Sequence, residues 1–196
     1  MKTCSCISLS GGQGKTTTIF FTALLLANQG KKVLAIDADP QANLTFYLNH
    51  EVQPNEPSLF EVLTGQVQTE DGIYETNYEN LFLMPADRGL FKVSDFLSSS
   101  GTGAFVLRIR LKAVADLFDY VLIDVQPSRS QLCLTAVGAS KHVLIPVEAN
   151  VKGVNSLVDT LDFLQEQSHL EAFDVSLYGN EDVLGGSNSR EAELRS

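Results

Sequence analysis

The sequence predicts an α/β fold: a mostly parallel, twisted sheet with helices packed on both faces. Three observations carry that expectation. Short apolar runs recur without polar alternation at residues 33–37, 81–84, 120–124 and 142–147, and such runs suit strands covered on both sides. Segments of helical spacing stand between them, so strand and helix alternate along the chain. A glycine-rich loop, Gly11-Gly12-Gln13-Gly14, joins the first apolar segment to the first helix.

Taken in order, residues 4–9 form the first strand, and residues 17–28 the helix that follows the glycine loop. Gly30 closes that helix, since glycine accepts the positive φ of a C-terminal cap. Lys31 and Lys32 precede the strand 33–37. Residues 42–49 make a short helix, 51–56 a loop, and 57–63 a helix with Pro57 in its first turn and Gly65 after its end. The third strand is 81–84. An amphipathic helix over 104–118 leads into strand 120–124, another helix ends at 135–139, and strand 142–147 follows. Val154, Leu157, Val158, Leu161 and Leu164 then recur at helical spacing. No repeat or linker divides the chain, so residues 1–184 read as one domain and 185–196 as a polar, disordered tail.

A chain of 196 residues can bury a sizeable core, and 44% hydrophobic with 19% charged residues is the composition of a globular domain. No apolar run approaches the ~18 residues of a membrane-spanning helix. The glycine loop starts ten residues in, which leaves no room for a signal peptide, so a cytoplasmic location is expected. The net charge of −10, from 14 Lys+Arg against 24 Asp+Glu, opposes whole-surface attraction to DNA or anionic lipid. It still permits a local basic patch assembled in a dimer. Cys4, Cys6 and Cys133 are too few for a disulfide framework and lie in apolar segments, as small core residues do.

The chemistry gathers at three strand ends, the edge where parallel sheets bind ligands. After the first strand, Gly11, Gly12 and Gly14 let the backbone curl and aim N–H groups at one anion. Lys15 adds a cation for β/γ-phosphates, the Thr16 hydroxyl is placed to bind Mg²⁺, and the following helix turns its positive end to the same phosphates. The phosphate-binding residues are thus Ser10, Gly11, Gly12, Gln13, Gly14, Lys15, Thr16 and Thr17. After the second strand comes Asp37-Ala38-Asp39-Pro40-Gln41, and Asp124 closes strand 120–124. One Asp after a strand is an ordinary turn former. Two such strand ends, in order with a phosphate loop, point to a nucleotide.

The common phosphate loop has glycine where this chain has Leu9, and the pattern x-K-G-G-x-x-K-[ST] fits residues 9–16 better. That pattern resembles the deviant Walker A motif of the ParA/MinD family of P-loop NTPases, and the resemblance extends over roughly residues 3–165. It implies that Asp124 would hold Mg²⁺ through water beside Thr16, and that Asp39 would orient the attacking water at the metal's edge. Asp37 would support the metal's shell. ATP is expected rather than GTP, because no guanine-reading N-K-x-D motif is present. The resemblance further implies an ATP-bound homodimer that binds DNA without sequence preference. A small adaptor protein would stimulate hydrolysis, and the protein would associate with the nucleoid.

The family's signature lysine, which reaches the partner's phosphates, is Ser10 here. A cation acting in trans is worth roughly 10³–10⁵ in rate, or about 4–7 kcal/mol of barrier. Lys152 is the candidate replacement, in a loop after strand 142–147 that Asn150, Val151 and Gly153 leave free to project a side chain. Serine at that position with a later lysine resembles the branch of the family that distributes carboxysomes over the cyanobacterial nucleoid. DNA contacts could come from Arg108, Arg110, Lys112, Arg129, Arg190 and Arg195, though basic residues on an exposed helix often only keep it solvated. A membrane-bound role needs an amphipathic terminal helix, and residues 185–196 offer only Ala192 and Leu194 as apolar positions. A shared iron–sulfur cluster needs two cysteines per chain, and none lies between Cys6 and Cys133. The remaining alternatives are a small-molecule kinase or ligase of the same fold, and a module that holds ATP without hydrolysing it.

Overall fold

The computed structural model describes residues 1–99 and 101–167. The elements run β1 (Lys2–Cys6), α1 (Lys15–Asn28), β2 (Val33–Ala38), α2 (Asn43–Tyr47), α3 (Leu59–Thr64), β3 (Tyr74–Glu75), β4 (Leu81–Met84), α4 (Val93–Ser99), α5 (Val106–Leu111), β5 (Tyr120–Val125), α6 (Gln131–Ala139), β6 (His142–Leu144) and α7 (Val151–Glu166). Six strands form one sheet in the order β3-β4-β2-β5-β1-β6. Every pairing is parallel except that of β3 with β4.

The central strands are buried on both faces, which is why they read as unbroken apolar runs. Leu34, Ile36, Val121 and Ile123 point into one core with residues of α3, α4, α5, α6 and α7. Val33, Ala35 and Leu122 point the other way, onto Ile19, Ala23 and Ala27 of α1 and Leu44 of α2. Each of these larger side chains, fully buried, contributes about 1.5–3 kcal/mol.

Several elements depart from expectation. β1 ends at Cys6, and residues 7–9 leave the sheet toward the glycine loop, with the Ile7 N–H donating to the Leu144 carbonyl. The helix expected over 104–118 is broken: α5 is flanked by tight turns at Gly103–Phe105 and Lys112–Val114. Gly138 of α6 packs against the Ala104 carbonyl there, where a Cβ would collide, and Thr135 accepts the Leu107 N–H at 3.1 Å. Pro57 lies outside α3, which starts after Ser58 with a capping box to Glu61. Strand β3 and helix α4 lack a counterpart in the sequence reading.

Helix α7 begins at Val151, so Lys152 sits in its first turn and not in a free loop. Asn150 caps the turn by accepting the Gly153 N–H at 2.8 Å. Gly153 is required for close packing, since a Cβ would strike the Glu148 carbonyl. Among the described residues no helix is long and apolar enough to cross a membrane. The expected tail at 185–196, with Arg190 and Arg195, lies outside the described residues.

Candidate functional site

Strand register assembles the floor of the site. β2 and β5 are neighbours with Asp37 opposite Asp124, and β1 sets Cys6 on the other side of Asp124. Both carboxylates are buried, at 0% and 1% exposure. Asp37 is fully engaged with its own chain: Oδ2 accepts the Thr45 N–H and hydroxyl, each at 2.8 Å, and Oδ1 accepts the Asp39 N–H at 3.1 Å. It therefore anchors the loop that carries Asp39. Burial pushes its pKa up to about 6 despite those donors.

Asp124 is different. Neither of its oxygens has a hydrogen-bond partner among the described residues. Burial pushes its pKa up to about 7; the nearby Thr16 hydroxyl and Lys15 oppose that rise, while Asp37 and Asp39 add to it. A buried carboxylate with two unpartnered oxygens beside a hydroxyl fits a divalent cation. Mg²⁺ typically takes one or two carboxylates and completes its shell with water and phosphate. No cluster of three or more His, Cys, Asp or Glu able to hold a metal occurs among the described residues. Burial also raises the thiols of Cys4, Cys6 and Cys133 above their usual range.

Above the carboxylates lies a cleft of about 530 Å³, walled by Gly11, Gly12, Gln13, Gly14, Lys15, Thr16 and Thr17, by Asp39, Gln41, Asn43 and Tyr47, and by Gln126 and Pro127. Gly12 and Gly14 have φ of 82° and 76°, a region that side chains disfavour. The first N–H groups of α1 have no partners within the helix, and they begin at Lys15 on the cleft wall. Asp39 lines the cleft with Oδ1 accepting the Gln41 N–H at 2.9 Å. Of the expected phosphate-binding residues, Ser10 alone does not line the cleft. It lies half-buried, with its carbonyl accepting from the Ser8 hydroxyl at 3.4 Å.

One face of α7 forms the outer brace of the glycine loop. Lys152 Nζ donates to the Gly11 carbonyl at 3.5 Å, Ser156 and Ser8 hydroxyls meet at 2.9 Å, and Thr160 Oγ1 accepts the Leu9 N–H at 3.2 Å. Positions 152, 156 and 160 share one helix face by their spacing of four. Gln13 completes the contact by accepting the Glu148 N–H at 3.1 Å. Ser156, Thr160 and Tyr47 were missed in the sequence; for the first two the signal was a hydroxyl at each four-residue step from Lys152.

Of the described basic residues considered for DNA, Arg110 and Arg129 make contacts that fix their guanidinium groups. The Arg110 guanidinium packs on Gly65, at the carbonyl end of α3, where a cation is favoured. Arg129 donates to Glu166 at 3.1 Å and lies over the Phe163 ring. Arg108 and Lys112 are exposed.

The AAA domain family model matches residues 1–173. The chain is 50% identical over 179 residues to the maintenance of carboxysome distribution protein A of Gloeothece citriformis, spanning 91% of this chain and 69% of that protein. It is 38% identical over 158 residues to a probable plasmid-partitioning protein ParA of Thermus thermophilus, covering 80% of this chain and 48% of that one. Among solved structures, an ATP complex of a Cyanothece McdA variant superposes with a TM-score of 0.85 at 50% identity, over 88% of this chain and 66% of that one.

Proposed function

This chain belongs to the ParA/MinD family and is McdA-like within it, and on that premise we propose that it is a Mg²⁺-dependent ATPase that positions carboxysomes. The observation that carries the reading is Asp124, buried beneath a phosphate loop with the Thr16 hydroxyl beside it and, among the described residues, no close hydrogen bond to either carboxylate oxygen. Gly11 to Thr17 bind the phosphates, with Lys15 countering their charge. Thr16 and Asp124 hold the metal, with Asp39 at its edge; Mg²⁺, when bound, neutralises charge on the phosphate oxygens. Asp39 orients the attacking water, and Asp37 fixes Asp39 through the N–H bond described above.

ATP draws two chains face to face, and Lys152, held at the rim of the glycine loop, supplies the trans cation that Ser10 cannot. The ATP dimer binds DNA without sequence preference, through phosphate contacts from exposed residues such as Arg108 and Lys112. A small adaptor stimulates hydrolysis and releases the dimer, so that the cargo moves over the nucleoid.

Phosphate release with ATP and Mg²⁺, in the presence of DNA, tests the enzymatic claim. Asp39→Ala should lower turnover by roughly two orders of magnitude or more while ATP affinity stays within about threefold, the pattern of a residue acting in the transition state. Equal turnover in the two proteins would overturn the assignment.

A further inference from the structure

Helix α7 is bonded to two loops that line the cleft, one toward each of its ends. Lys152, Ser156 and Thr160 hold the glycine loop. The last turns are held by one side chain, Arg129, from the loop that follows Asp124. Its guanidinium donates to Glu166 Oε2 at 3.1 Å and to the Asp159 carbonyl at 3.4 Å, and it lies 5.4 Å from the centre of the Phe163 ring. Positions 159, 163 and 166 share one face of the helix by their spacing. An exposed ion pair contributes little alone. Here one guanidinium makes three contacts, one of them on a ring that is only 3% exposed, and that fixes its geometry.

The loop bearing Arg129 is cross-tied. Gln126 Nε2 donates to the Ser130 hydroxyl at 2.8 Å, the Ser128 and Ser130 hydroxyls meet at 3.0 Å, and the Ser128 N–H donates to the Gln126 carbonyl at 2.9 Å. Gln126 and Pro127 are walls of the cleft. Gln126 and Pro127 thus share one cross-tied loop with Arg129, whose guanidinium contacts the end of α7.

We propose that Arg129 is a positioning residue that couples the phosphate end of the cleft, through α7, to Lys152. The proposal rests on reading the cleft as an ATP site. A terminal phosphate against Gln126 and Pro127 shifts the cross-tied loop, Arg129 carries the shift to α7, and the helix resets the Lys152 ammonium over the glycine loop. ADP has no terminal phosphate to press on that loop and leaves α7 in place.

Amide hydrogen exchange tests this, with a non-hydrolysable ATP analogue or ADP, each with Mg²⁺. In the unaltered protein, residues 151–167 should exchange more slowly with the ATP analogue than with ADP by about fivefold or more, the lower range of ordinary coupling. Arg129→Ala should reduce that difference to less than about twofold, while both nucleotides still protect residues 11–17. Glu166→Gln, an exposed and milder change, should reduce it in the same direction and serves if Arg129→Ala does not fold. A nucleotide-dependent difference in α7 that survives both substitutions overturns the coupling. So does its absence from the unaltered protein when residues 11–17 are protected. No protection of residues 11–17 by either nucleotide would instead overturn the ATP-site reading itself, and the coupling with it.

Discussion

Two neighbouring carboxylates set the energetics of the site. Asp37 and Asp124 hold their protons up to about pH 6 and 7, well above the ~3.9 of an unfolded aspartate. The folded chain therefore binds more protons than the unfolded chain between those values, and stability must fall as pH rises through the window. Without nucleotide or metal, urea midpoints should decline from about pH 4 to pH 7. Asp124→Asn should flatten the upper part of that decline and raise stability at pH 7.5, while abolishing Mg²⁺-dependent nucleotide binding. A variant with the same pH slope and lower stability would show that Asp124 is held ionised by its own chain. The site aspartates and Lys15 were legible because a strand end and a glycine loop dictate where each stands. Ala42 was not legible: its φ of 56° is imposed by the turn that closes on the Asp39 carbonyl, and alanine gives no hint of it.

Elements were legible where their own sequence determines them. β2, β4 and β5 are apolar because both faces are covered, and α1 ends as expected, with Gly30 at φ 76° after Gln29. Elements set by tertiary contact were not legible. β3 is two residues long and exists by pairing with β4, and α5 is interrupted where Gly138 of α6 meets the Ala104 carbonyl. In α7 the valine and leucine periodicity announced a helix, but it hid the Ser156 and Thr160 hydroxyls that join that helix to the glycine loop. Thr160 is 0% exposed and accepts the Leu9 N–H, so removing the hydroxyl strands a part-buried donor. Thr160→Val should cost about 1–3 kcal/mol in denaturant unfolding and weaken ATP binding, whereas Thr160→Ser should restore both. Equal ATP affinity in all three proteins would mean that α7 does not support the loop.

At the scale of the molecule, one mostly parallel sheet brings the glycine loop, the Asp39 loop and the Asp124 loop to a single edge, and α7 braces the first and the last of them. The sheet order places Asp37 and Asp124 side by side although 87 residues separate them along the chain. A net charge of −10 means that any DNA contact must be local. The central claim is that ATP assembles two such edges with Lys152 crossing between them. Light scattering with ATP and Mg²⁺ on Asp39→Ala and on Asp39→Ala/Lys152→Ala tests it most directly. The first protein should hold ATP and show twice the mass of one chain, and the second should show one. Single chains in both, with nucleotide bound, would contradict an ATP-driven dimer built on Lys152.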